Sequence, residues 1–204
     1  CSFEVRSAKE FSEEEILKKN WHVKAEENNT GKASIYMGAG DLFISSTSEN
    51  FISADFRFTS TKMEPFYNLE NKDEYSVLNI WQGEETKSNI AETEGNGLKI
   101  SLKDEEEKKN FKVDLDFDVK KPKKDLGFNE WKISLHQSLI QELNVAQGFG
   151  KATIDLRKMD LRQADIETGM GKSELYLDGN QTDSLIVNIN TGVGSLDIYL
   201  PSNI

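Results

Sequence analysis

The segment Glu167-Thr168-Gly169-Met170-Gly171-Lys172-Ser173 holds residue types that can cradle a phosphate: glycines, a lysine and a hydroxyl in close succession. A P-loop needs another glycine five residues before Gly171, and Ile166 stands there. The same slot reads Gly-Phe-Gly-Lys-Ala at 148–152 and Gly-Val-Gly-Ser-Leu at 192–196, so the glycines belong to a recurring backbone feature. Calcium-binding rolls also repeat glycines, but with a nonapeptide period and an aspartate two residues after the second glycine. Ala152, Ser173 and Leu196 occupy that position here. Asp41, Asp178 and Asp183 sit near turns and read as solvated acids. His22 and His136 have no Cys, His or paired carboxylate at ligand spacing. Asp114, Asp116 and Asp118 share one face of a strand pattern, which a solvated strand explains better than an acid–base pair set across a cleft. No catalytic, cofactor or metal site is therefore expected, and the chain reads as a non-enzyme. Tyr176 and Tyr199 fall in equivalent outward slots beside Thr153, Glu174 and Asp197. Such a pair can serve as a flat face for a sugar chain or a protein, or can stack across strands and only stabilise the sheet.

Four copies of one phrase position these residues. They begin at Gly127, Gly148, Gly169 and Gly192, spaced 21, 21 and 23 residues apart. A period of this size signals a stacked repeat. After Gly150 the residues Ala152, Ile154 and Leu156 share one strand face, because side chains alternate. Trp131, Ile133 and Leu135, then Ser173, Leu175 and Leu177, then Leu196, Ile198 and Leu200 repeat that face. A second strand carries Leu143 and Val145, Ala164 and Ile166, or Val187 and Ile189. A unit with one apolar face cannot bury it alone, and stacked neighbours can. Equivalent strands should pair in parallel, with the Gly-x-Gly turns bending the chain between layers. The expected fold is all-β: an elongated, parallel, solenoid-like stack of two-strand repeats, ~21–23 residues each.

Looser copies of the phrase lie at 38–44 and 95–102, and Phe111–Val119 alternates like a half-buried strand. Residues 60–76 read as a long loop around Pro65. Residues 1–30 read as a polar tether or a short helix with Ser12 as its N-cap. Residues 31–204 read as one stacked domain, divergent over 31–126 and regular over 127–204. Only four residues follow Leu200, so the last layer reads either as truncated or as an edge that a partner covers.

The net charge of −11 disfavours nucleic acid and anionic lipid surfaces as partners. The basic run Lys120-Lys121-Pro122-Lys123-Lys124 reads as a solvated loop. No stretch approaches the ~18 apolar residues of a membrane-spanning helix. Cys1 is the only cysteine, so no disulfide forms within the chain. Followed by Ser2 and a polar stretch, it reads as the lipidated N-terminus left by signal cleavage, with a cloning boundary as the alternative.

The phrases at 148–156, 164–171 and 191–198, with the loose Gly-Ala-Gly-Asp-Leu unit before them, resemble the toast-rack family of bacterial envelope proteins. The resemblance spans about residues 31–204. It implies a stacked-β domain at the cell surface or facing a membrane, with an adhesive role, and it supplies no catalytic residues. Some relatives resemble regulators of the response to cell-wall-active antibiotics, but these carry transmembrane helices that this chain lacks. The expected function is a lipid-anchored envelope module that binds a protein or wall polymer, with a regulator of the envelope stress response acting through a membrane partner, or an enzyme on wall glycans, as the alternatives. Pairing with a second copy through an exposed strand edge is a further expectation.

Overall fold

Residues that alternate apolar and polar form strands here, and the glycines decide where those strands turn. The computed structural model describes residues 11–12, 14–24, 30–72, 75–83, 127–178 and 184–200. Its strands are β1 (Leu17–Lys24), β2 (Thr30–Thr47), β3 (Asn50–Phe58), β4 (Pro65–Lys72), β5 (Tyr75–Gln82), β6 (Asn129–His136), β7 (Ile140–Asp155), β8 (Gln163–Tyr176) and β9 (Ile186–Tyr199). All join one open sheet. The fold is all-β, as the alternation predicts.

The long strands β2, β7, β8 and β9 run parallel in that order, with Gly40, Gly150, Gly171 and Gly194 directly in register. Each of these glycines has a positive φ, from +130° at Gly150 to +148° at Gly194. A Cβ on Gly150 would lie 1.9 Å from the Gly40 carbonyl oxygen, and one on Gly171 would lie 1.8 Å from that of Gly150. Only glycine fits such a column. The two strands expected per unit are thus the two halves of one continuous strand, bent at this column. Both halves turn their apolar residues to one interior: Ala33 and Ile35 before the bend, Leu42 and Ile44 after it, all in a single core.

On the other side of β2 the sheet divides. β5 pairs with Thr30–Tyr36, and β6 pairs with Asp41–Thr47. Residues 84–126 between them lie outside the described residues, and among the described residues no continuous strand serves the bend of β2. Two side-chain amides stand in for it. Gln82 Oε1 accepts from the backbone N–H groups of Gly38 (3.0 Å) and Ala39 (3.2 Å). Asn129 Nδ2 donates to the Ala39 carbonyl (2.7 Å), and Asn129 Oδ1 accepts from Trp131 Nε1 (3.0 Å). Buried polar groups need such partners. Within the sheet, Gln147 plays a like part, its Nε2 donating to the Gly40 carbonyl at 2.7 Å.

Antiparallel strands complete the two arms, β4 on β5, and β3 on β6 with β1 beyond it. The arms meet at their far end. Lys19 Nζ of β1 lies 3.0 Å from Glu64 Oε1 and donates to the Pro65 carbonyl (3.0 Å). Trp21 packs on Tyr67 at 4.3 Å between ring centroids and on Phe56 at 4.7 Å.

Four expectations need correction. Leu17–Lys24 is no tether: it pairs residue by residue with β3, because Trp21 and Val23 bring an apolar face to the core. The helix expected from Ser12 is a single turn, closed by the Glu15 N–H donating to the Ser12 carbonyl (3.0 Å). Residues 65–72 are not loop but strand β4; Pro65 is tolerated there because it opens an edge strand. The unit at Gly127 does not stack on the unit at Gly148, for β2 lies between β6 and β7. The segments 95–102 and 111–119, Asp114, Asp116 and Asp118, the lysine run 120–124 and Cys1 lie outside the described residues.

Candidate functional site

The second halves of β7, β8 and β9 set three rows of side chains on the outer surface, each row crossing the strands. Asp155, Tyr176 and Tyr199 are in register, as are Thr153, Glu174 and Asp197, and Lys151, Lys172 and Ser195. Their inward neighbours fix this face by alternation: Ala152, Ile154 and Leu175 are buried.

Tyr176 and Tyr199 stack with centroids 4.5 Å apart and planes within 5° of parallel. The Arg157 guanidinium carbon lies 5.2 Å from the Tyr176 ring centre. Arg157 is held in turn by a two-point contact on Asp155, Nε to Oδ1 at 2.9 Å and Nη2 to Oδ2 at 2.7 Å. That contact holds the Asp155 carboxyl below its ordinary range. One tyrosine face is thus covered by a cation and the next by a second tyrosine. Tyr199 ends the row and is 47% exposed. The stack therefore joins the two strands across the sheet and leaves the ring of Tyr199 half exposed.

Beside the stack, Lys172 Nζ lies 2.8 Å from Glu174 Oε1 and 3.4 Å from Asp197 Oδ2, while Lys151 Nζ lies 3.7 Å from Glu174 Oε2. Hydrogen bonding to Lys172 keeps the Glu174 carboxyl below its usual range, and Glu174 raises the Lys172 ammonium. The charges pair with one another instead of converging on a point. On the other half of the strands, Asp165 accepts from Gln163 Nε2 and Asn188 Nδ2, both at 2.7 Å, a row of linked polar groups.

His22 lies on β1 and His136 ends β6, where its Nδ1 accepts from the backbone N–H groups of Ser138 and Leu139, each at 3.2 Å. It shapes a turn, a role with no signal in the sequence. Asp41 sits beside β7, with the Lys151 backbone as hydrogen-bond donor; burial raises its carboxyl. Among the described residues, no group of three or more His, Cys, Asp or Glu could hold a metal ion. No helix of the described residues is long and apolar enough to cross a membrane. Sequence reasoning missed the Arg157 contact, because Arg157 lies in the turn after β7 and meets Tyr176 only across the layers.

Among curated proteins, none matches this sequence. A crystal structure from Clostridium sporogenes ATCC 15579, described as a candidate cell adhesion protein, is similar in fold, with a TM-score of 0.61 at 18% identity. The match covers 91% of this chain and 100% of that one. A candidate adhesin from Parabacteroides merdae ATCC 43184 aligns over 90% of this chain and 95% of its own, at 9% identity and a TM-score of only 0.23. The family described as the N-terminal domain of toast_rack matches over residues 10–106 and again over 98–199. With the bent parallel ladder and its glycine column, that coverage gives the assignment: this chain belongs to the toast-rack N-terminal domain family.

Proposed function

We propose that this chain is a non-catalytic binding module of the bacterial cell envelope, which holds a protein or wall polymer against its outer face. One observation carries the reading: the rows at 151–155, 172–176 and 195–199 present paired charges and stacked rings on a flat surface. Catalysis calls for a concave site with converging, perturbed groups. A flat row of ring and ion pairs instead suits a long ligand that lies across several strands. The adhesive description of the Clostridium sporogenes protein, and the envelope setting that the toast-rack resemblance implies, support the same role. Cys1 would be the point of lipid attachment on the outer side of the membrane.

The test is co-sedimentation of the purified chain with insoluble cell-wall sacculi and with intact cells. Tyr199→Ala should lower the bound fraction several-fold with the far-UV spectrum unchanged, and Lys18→Ala on the distant β1 strand should not. Equal binding by the two variants, or no binding by the parent chain to either material, would sink the reading. Anchoring is checked separately, by mass spectrometry of the protein recovered from its native membrane.

A further inference from the structure

The two ends of the sheet differ in kind. At one end the arms close on each other through Lys19, Glu64 and the Trp21–Tyr67 contact. Their edge strands carry devices that discourage strand addition: Lys18, Lys19 and Lys24 on β1, and Pro65 and Lys72 on β4. At the other end, β9 has 14 residues without a Lys, Arg or Pro, and Asp197 is its only charge. The core also stops short there. Ile154, Leu175 and Ile198 share one slot in successive layers, and their exposure runs 1%, 2% and 44%. Ile186, Val193 and Leu200 are exposed as well.

We infer that β9 is a self-pairing interface: two copies of this chain join their β9 strands antiparallel, about a two-fold axis between Gly192 and Val193, within the bend that the Gly194 column completes. The bend makes this symmetry natural. A two-fold axis that lies in the plane of the layer and bisects the bend maps the bent path onto itself with its direction reversed. The second copy therefore adds a layer of the same outline, with its interior on the same side.

The residues of β9 suit that register. With the axis between Gly192 and Val193, Ile189 lies opposite the partner's Leu196. Val187 lies opposite the partner's Ile198, and Leu185 opposite the partner's Leu200. Five of the six belong to the inward face, by their packing on the core or by register with buried residues, and Leu200 follows Ile198 by alternation. Outside, Asn190 meets Ser195, Asn188 meets Asp197 and Ile186 meets Tyr199. Every pair matches polar with polar or apolar with apolar. A shift of one residue would set inward positions against outward ones and lose this match. The two Asp197 carboxylates face amides and stay on opposite walls, so an acidic chain pairs at its least charged edge. The inference does not rest on the binding reading, although a pair would present two outer faces and gain from their linkage.

The test uses the 204-residue chain carrying Cys1→Ser, so that introduced cysteines are the only ones. Asn190→Cys and Ser195→Cys are made in separate chains, mixed in equal amounts and mildly oxidised. Opposed residues lie ~4.5–5.5 Å apart between Cα atoms, within disulfide range. Residue 190 of one copy lies five residues along the bent strand from residue 190 of the other, beyond disulfide range. The mixture should give a cross-linked dimer and each variant alone should not. Sedimentation of the uncross-linked chain should shift from monomer to dimer between about 1 µM and 100 µM. Ile198→Lys should abolish the shift with an unchanged far-UV spectrum. Should that spectrum change, Ile186→Asp, at an outward residue already 59% exposed, carries the same expectation. A monomer at every concentration overturns the inference. So does cross-linking of Asn190→Cys alone, which means another register, and so does growth into open-ended polymers, which means another edge.

Discussion

The glycine column separates two costs that usually come together, backbone strain and the loss of close approach. Four glycines form the comparison. Gly38 has no positive φ, and a Cβ there would meet nothing nearer than Gln82 Oε1 at 3.6 Å. Gly83 has φ +111° but nothing within 4 Å of its Cβ position. Gly169 lacks a positive φ, yet a Cβ would lie 2.3 Å from the Gly148 carbonyl oxygen. Gly150 combines both, with φ +130° and only 1.9 Å to the Gly40 oxygen. Gly38→Ala should therefore be neutral, or stabilising by up to about 1 kcal/mol through the unfolded chain. Gly83→Ala should cost about 1–3 kcal/mol from conformation alone. Gly169→Ala should cost about 1–3 kcal/mol, because two strands must part. Gly150→Ala carries both terms, about 3–6 kcal/mol, a large share of a typical domain's ~5–15 kcal/mol. Urea unfolding followed by tryptophan fluorescence measures all four under one baseline. If Gly150→Ala costs no more than Gly83→Ala, the close approach between layers is not what selects glycine, and the account of the bend fails.

Three further perturbations test the core, the bend and the alkaline limit. Ile154→Ala should cost about 2–5 kcal/mol, and Ile198→Ala in the same slot of the last layer under about 1 kcal/mol in dilute monomer, by thermal unfolding. Asn129→Leu strips partners from the Ala39 carbonyl and Trp131 Nε1 and should cost about 2–5 kcal/mol; adding Trp131→Phe should recover part of that loss, a non-additivity visible in a double-mutant cycle. Burial, with Glu167 nearby, pushes the Tyr36 phenol from 10.0 up to about 12. The folded state therefore holds this proton more tightly than the unfolded chain. That contribution is complete below pH 10 and fades as the pH rises toward 12, by about 2–3 kcal/mol. Tyr36→Phe should flatten this part of the stability profile, and an unchanged alkaline slope would contradict the assignment.

What the sequence revealed, and what it hid, follows from the range of each interaction. The alternation of Ala152, Ile154 and Leu156 is a local property, so the inward face was legible without coordinates. The register of Gly150, Gly171 and Gly194 followed from the period. The pairing of β6 with β2 was not legible, because its partner lies some 90 positions earlier, as in the 90-residue separation of Asn129 from Ala39. Period alone favours the nearest copy in sequence. Nor did β4 announce itself: Asn68, Glu70 and Asn71 mask the alternation of an edge strand that needs only one side covered. The candidate face shows the same division. The slots of Tyr176 and Tyr199 were visible in the repeat, whereas Arg157 was not, since turn residues escape periodicity.

The split neighbour of β2 shows why these two limits meet in one place. A repeat that ran without interruption would give β2 a single bent strand on each side. Here the described strands β5 and β6 end on either side of that bend, where a gap costs only a few backbone hydrogen bonds. Gln82 and Asn129 recover those bonds with side-chain amides on either side of the gap. The amides also seal the layer. Asn129 is buried, tied to a buried tryptophan, and no strand can replace it from outside. On this divided side the described arms close on each other. Among the described residues, β9 is the edge where successive layers still match and no strand follows. The described arms β1–β3–β6 and β4–β5 thus close one end of the regular stack, and their departures from the repeat are what finish that end.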